Sequence, residues 1–210
     1  MALEILYEDA QLVVVVKPGG LLAVPGRGPD KFDSLATRLQ TAFPAMIAQP
    51  AVHRLDMYTS GLMVFAVSST AHRRLSMDFA AGRVDKGYAA LVEGEIEEEA
   101  GEIRLPFRLD PDHRPLQIYD PLHGKIGISR WRRLAGEGCL TRIAFTPLTG
   151  RTHQLRLHAA HPLGLAAPIR GDSLYGIGHE GETMCLHADK LAFHHPASGR
   201  RLEFRSPPAF

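Results

Sequence analysis

Cysteine is nearly absent: Cys139 and Cys185 are the only two in 210 residues, and neither sits at a metal-binding or redox spacing. That usage fits buried thiols in a reducing compartment better than a secreted fold stapled by disulfides. Long apolar runs are missing too, since no stretch approaches the roughly 18 residues that a membrane-spanning helix needs. The start, MALEILYEDAQLVVVV, carries acids where a secretory signal would carry lysines, and it lacks a small-residue cleavage site. A cytoplasmic protein is therefore expected, with no membrane partner. Neither sign of charge dominates, and a net +1 argues neither for nor against a polyanionic partner. Repeats of fixed period, low-complexity tracts and Pro- or Ser-rich linkers are also lacking, so a single domain over 1–210 is expected.

The familiar cofactor and nucleophile signatures are missing as well. No GxGxxG follows a strand, and there is no GxxxxGK[ST], HExxH or GxSxG. Dinucleotide binding, P-loop phosphate binding, zincin chemistry and the serine-hydrolase elbow lose their usual support. Eleven histidines invite a metal, and His158 and His161 fall at a spacing that can share a helix face. No cysteine or acid stands at supporting ligand spacing, so neither metal nor cofactor is expected.

What is present is a mixture of strand-like and helix-like segments without a strict βαβ rhythm, which favours α+β over a doubly wound sheet. QLVVVVKPGG reads as a buried strand entering a Pro-Gly-Gly turn, and GLMVFAVS as a central strand covered on both faces. Ser34 precedes Leu35, Leu39 and Phe43, an amphipathic helix with a serine cap that stops at Pro44. Ala71, Leu75 and Phe79 form a second helical stripe ended by Gly82. KGYAALVEGEI and CLTRIAFTPLTG read as strands, RTHQLRLHAAH as a short helix, and the end as a hairpin across PASG. The run EGEIEEEAGE is a solvated turn. Residues 104–133 carry seven arginines or lysines against three aspartates and read as a long hairpin or loop excursion, an appendage able to meet phosphates.

HRLDMYTSGLMVFA, residues 53–66, packs a histidine, an arginine and an aspartate at the mouth of a buried strand. Core strands need no such cluster, and polar groups on the rim of a rigid scaffold are where chemistry sits. Asp56 lacks the second loaded carboxylate a glycosidase would use, Asp172 in RGDSLYG being the nearest. The chemistry calls for one carboxylate kept ionised by a cation, and Arg151 in GRTHQLRLH is a candidate. A plain salt bridge organising two loops explains the same residues, and so the choice stays open at this level. Ser60 in TSG reads as a turn or capping residue.

HRLDMYTSGLMVFA resembles the segment around the catalytic aspartate of the RluA family of RNA pseudouridine synthases. VVVVKPGGLLAVPG, VDKGYAALVEG, GRTHQLRLHAAHPLG and RGDSLYG fall in that family's order, so the resemblance covers nearly the whole chain. It is nearest the short type that modifies 23S ribosomal RNA and transfer RNA, without a separate N-terminal RNA-binding domain. The resemblance implies a mixed, largely antiparallel sheet with flanking helices and a catalytic cleft. It also implies a monomeric, cofactor-independent isomerase of RNA uridine. Asp56 would attack C1′ of the target ribose, and Arg151 would pair with it. Tyr88 would stack on the uracil, a safer role than base for a phenol whose ordinary pKa is about 10. Leu155 would lie under the base.

Arg54 would stack in the space left by the extruded nucleotide, whose departure from a duplex costs a few kcal/mol. A phosphate contact is the plainer reading of Arg54. Arg156, Lys17 and Arg27 are read as phosphate contacts. His53 counts among the substrate-side residues as an organiser of the loop rather than a base. Segment 159–171 and the KIGISRW start depart from the family's usual pattern, which bears on target choice. Two rival readings remain: a catalytically silent RNA-binding protein, and a nucleoside or glycoside hydrolase using Asp56.

Overall fold

The computed structural model describes residues 3–28, 31–179 and 181–210; the first two residues of the acid-bearing start lie outside them. The described residues form ten strands and three helices. In chain order these are β1 (Glu4–Glu8), β2 (Leu12–Lys17), α1 (Leu35–Ala42), β3 (Ser60–Ala66), α2 (Ser69–Ala80), β4 (Asp85–Glu93) and β5 (Ala100–Leu109). There follow β6 (Gln117–Tyr119), β7 (Lys125–Glu137), β8 (Leu140–Pro147), α3 (Gln154–Ala160), β9 (Leu186–His194) and β10 (Arg201–Arg205). The fold class is α+β, as expected. No helix among the described residues is long and apolar enough to cross a membrane. The chain divides into two compact units, one running to Lys86 and resuming over His187–Ala209, the other spanning Gly87–Leu186 with Phe210.

In the first unit β2 runs antiparallel to both β1 and β3, β3 pairs in parallel with β9 through Ser60 and Gly61, and β10 returns antiparallel on β9. The apolar runs explain the burial. Leu12 through Val15 and Leu62 through Ala66 are essentially inaccessible, so both faces of these strands are covered. Leu12, Val14, Leu62 and Val64 form one core cluster with Ala71 and Leu75 of α2 and with Leu191, Phe193 and Leu202. Helix α1 starts where its serine cap predicts, and α2 proves to be capped by Ser68. The Ser34 hydroxyl accepts the Thr37 N–H, the Thr37 hydroxyl accepts the Ser34 N–H, and Ser68 accepts the N–H of Ala71. Gly82 follows α2 with φ +68°, a left-handed turn that suits glycine.

The second unit is an antiparallel array in the order β4, β8, β7, β5, β6. Residues 104–133 belong to it as paired strands. β7 bonds β5 on one side and β8 on the other, so the segment is a hairpin built into the sheet and not an appendage. The sequence hid this because exposed arginines at 104 and 108 of β5 and at 130, 132 and 133 of β7 dilute the apolar pattern. Cys139 corrects a second expectation: it is exposed in the turn between β7 and β8, while Cys185 is buried.

Helix α3 is buried almost throughout. Its His158 is fully enclosed, edge-on to the Phe107 ring at 5.9 Å, and neither ring nitrogen has a hydrogen-bond partner among the described residues. Burial, with His161 adding to it, pushes its pKa down to about 4. An unfolded chain takes up this proton near pH 6.5, and the folded one does so only near 4, so stability is complete above 6.5 and falls as pH drops. In urea unfolding at pH 7 and pH 5, His158→Leu is expected to lose about 2 kcal/mol less than the parent between the two. Equal losses would mean the ring is not held neutral.

Candidate active site

The segment carrying Asp56 lies in the first unit and is tied down at three places. At its start, the half-buried His53 accepts the N–H of Val64 at 3.0 Å through Nε2 and stacks on Phe79 with ring centres 4.5 Å apart. Chain segment 50–53 runs beside this end of β3, the Pro50 carbonyl accepting the Ala66 N–H, and the imidazole supplies the next acceptor in line. Burial, helped by the Lys86 ammonium, lowers the His53 pKa to about 3, so the ring is neutral and its proton sits on Nδ1. It organises the loop, and its Nε2 is spent on backbone.

In the middle, the Met57 carbonyl accepts both the Gly20 N–H at 2.9 Å and the Lys17 ammonium at 2.8 Å. Lys17 is fully buried at the end of β2, and the same ammonium donates to the carbonyls of Pro18 at 2.8 Å and Leu21 at 2.7 Å. Three acceptors use its three donors. Burial lowers the Lys17 pKa to about 7, and the negative charge of Asp56 opposes the shift. Lys17 is therefore not the phosphate contact read from sequence; it clamps the KPGGL turn to the Asp56 loop and places a cation in the field of that carboxylate. A lysine continuing an all-valine strand was the available signal.

At its exit, the Thr59 N–H closes a turn onto the Asp56 carbonyl at 3.2 Å, and the Ser60 hydroxyl meets His187 Nδ1 at 2.8 Å. Gly61 has φ +111°, and a Cβ there would sit 2.4 Å from the Ala188 carbonyl oxygen, so no other residue fits so close to β9. Asp56 is half-buried and Arg54 exposed within this loop.

Tyr88, Arg151, Leu155 and Arg156 lie in the second unit. Tyr88 is half-buried on β4, opposite Phe145 of β8. Arg151 precedes α3 and donates through Nε to the Ile126 carbonyl at 2.9 Å. Gln154 fixes that junction: its amide donates to the Ile128 carbonyl and Ser129 hydroxyl and accepts from the Thr149 hydroxyl and the Arg151 N–H. Sequence reading missed Gln154, because an amide in a helical motif gives no sign of which backbone it will reach. Leu155 is buried on α3.

Arg156 corrects another expectation. It is 3% exposed and forms a two-pronged bond to the fully buried Asp172 at 2.7 and 2.6 Å, so it does not meet a phosphate. Its guanidinium carbon also lies 5.3 Å from the centre of the Tyr175 ring. Burial works against the Asp172 charge, but Arg156 and the N–H groups of Leu174 and Tyr175 prevail and hold the carboxyl below its usual range. Arg27 is exposed.

A family description, RNA pseudouridylate synthase, matches residues 11–161. The chain belongs to the RNA pseudouridylate synthase family. As a member it is an isomerase that converts uridine in RNA to pseudouridine, and the matched span contains both the Asp56 loop and the Arg151 turn. Pseudouridine synthases similar to it include the dual-specificity RNA pseudouridine synthase RluA of Pasteurella multocida, 42% identical over 99% of this chain and 94% of the relative. The protein of the same name from Escherichia coli K12 is 38% identical, also over 99% of this chain and 94% of the relative. Among solved structures, Human RNA Pseudouridylate Synthase Domain Containing 1 superposes with a TM-score of 0.77 at 28% identity, covering 98% of this chain and 83% of that one.

Proposed function

We propose that this pseudouridine synthase isomerises a specific uridine in a structured stem-loop of 23S ribosomal RNA, transfer RNA or both, acting as a cytoplasmic monomer with Asp56 as its nucleophile. The observation that carries the reading is the Asp56 loop itself, anchored to backbone or strand at residues 53, 57 and 60, with Asp56 itself half-buried. Three anchors in eight residues give the loop the supporting shell that a reacting group needs. The relatives' name, dual-specificity, supports more than one RNA target.

In the proposed reaction the Asp56 carboxylate attacks C1′ of the ribose and the bond from C1′ to N1 of uracil breaks. The freed base turns, C5 bonds to C1′ as the bond from Asp56 to C1′ breaks and frees the carboxylate, the C5 proton leaves and N1 gains one. Atoms balance without an oxidant, reductant or co-substrate. Arg151 takes the part of the basic residue in this chemistry, as the resemblance implies. Tyr88 stacks on the uracil, Leu155 lies beneath it, and Arg54 fills the gap left by the extruded nucleotide.

RNA labelled as [5-³H]uridine is expected to release tritium in proportion to a retained C-glycoside nucleoside. Free uracil would mark a hydrolase, and absence of release a silent binder. Carbodiimide-blocked primer extension on total RNA, from cells with and without the protein, then locates the modified position; sites confined to other RNA classes would refute the target assignment.

A further inference from the structure

We propose that His187 is a positioning residue for the reaction, its imidazole bridging Ser206, beyond β10, to Ser60 at the exit of the Asp56 loop. The inference rests on Asp56 as nucleophile and adds what sets that carboxylate's position. His187 is 5% exposed and Ser206 is 7% exposed, so both are closed off from solvent. Nε2 of His187 lies 3.1 Å from the Ser206 carbonyl oxygen and 3.2 Å from its hydroxyl, and Nδ1 lies 2.8 Å from the Ser60 hydroxyl. A carbonyl only accepts, which assigns the proton to Nε2 and leaves Nδ1 to receive the Ser60 proton. Burial lowers the ring's pKa, consistent with this neutral form.

The bridge sits where β3 and β9 pair. The parallel register of β3 with β9 comprises Ser60 with His187 and Gly61 with Ala188. Ser60 immediately follows the turn in which the Thr59 N–H returns to the Asp56 carbonyl. A shift of Ser60 therefore passes into the Asp56 backbone through one turn. Ser206 is itself fixed, its N–H donating to the Asp189 carbonyl at 3.0 Å. The path from the end of β10 to the nucleophile thus runs through hydrogen bonds of 2.8 to 3.2 Å, buried at Ser206 and His187 and part-buried at Ser60, and displacing a reacting group by about 1 Å can cost about 100-fold in rate.

The test uses the full chain with Ser60→Ala, His187→Gln and the double variant, assayed by tritium release under single-turnover and steady-state conditions. Each single change is expected to lower kcat about 10- to 100-fold with KM for RNA within about threefold. The double variant is expected to be no slower than the worse single one, because both act through one bond. Parental kcat in Ser60→Ala, a loss confined to the thermal midpoint, or losses that multiply in the double variant would overturn the proposal. If His187→Gln does not fold, Ser60→Ala alone decides. Turnover surviving in Asp56→Asn would instead strike the nucleophile assignment, so the two failures are distinguishable.

Discussion

Asp56→Asn is expected to reduce single-turnover formation of pseudouridine by about 10⁴-fold or more, the scale seen when an enzyme loses its nucleophile. Asparagine is nearly isosteric and leaves the three anchors of the loop in place: the Val64 N–H on His53, the Lys17 ammonium on the Met57 carbonyl, and the Ser60 hydroxyl on His187. RNA affinity should therefore stay within a few fold of the parent, as filter binding at fixed salt would show. The neutral amide cannot displace uracil from C1′, and the loss falls on kcat. It also removes the negative charge that opposes the effect of burial on Lys17. The variant's lysine should consequently give up its proton at lower pH than the parent's, a change visible by NMR of the labelled side chain. Substantial residual turnover would show that another group attacks the sugar.

The second large effect concerns stability. Asp172→Asn leaves the Arg156 guanidinium buried without its carboxylate, and breaking a buried pair from one side costs about 3–5 kcal/mol. Thermal unfolding should move down by about 10 °C, at about 2–4 °C per kcal/mol for a chain of this size. Arg156→Lys should fall by a comparable amount, because a lysine cannot reproduce two parallel bonds at 2.7 and 2.6 Å. Measured on folded protein at low temperature, the dependence of RNA binding on salt should be unchanged in Arg156→Lys and in Arg156→Met. If Arg156 neutralised a phosphate, Arg156→Met would instead lower the slope of log K against log salt by nearly one. A lower slope without destabilisation would return Arg156 to the RNA-facing set.

These two variants mark the boundary between local and long-range information in the chain. Element positions were legible because their causes are local: four consecutive valines before Lys17, Ser34 as a helix cap, Gly82 as a helix stop. Asp56 was legible because a polar triplet at the entry of an apolar strand conflicts with the demands of a core. The strands within 104–133 were obscured because solvent-facing arginines interrupt the apolar alternation, leaving pairing to be decided by neighbours far along the chain.

The sequence alone determined the α+β class, the serine cap of α1, the motif family and the acidic side chain proposed as nucleophile. Tertiary structure decided what the charged and polar groups around it are for. Lys17 and Arg156 carry the same positive charge as Arg54, yet folding buries the first two against carbonyls and a carboxylate and leaves the third in water. The Lys17–Met57, Arg156–Asp172 and Ser60–His187 contacts span 40, 16 and 127 residues of chain. A residue type records which bonds it is able to make. Only packing, by removing water from one side chain and not another, selects the partner it must find.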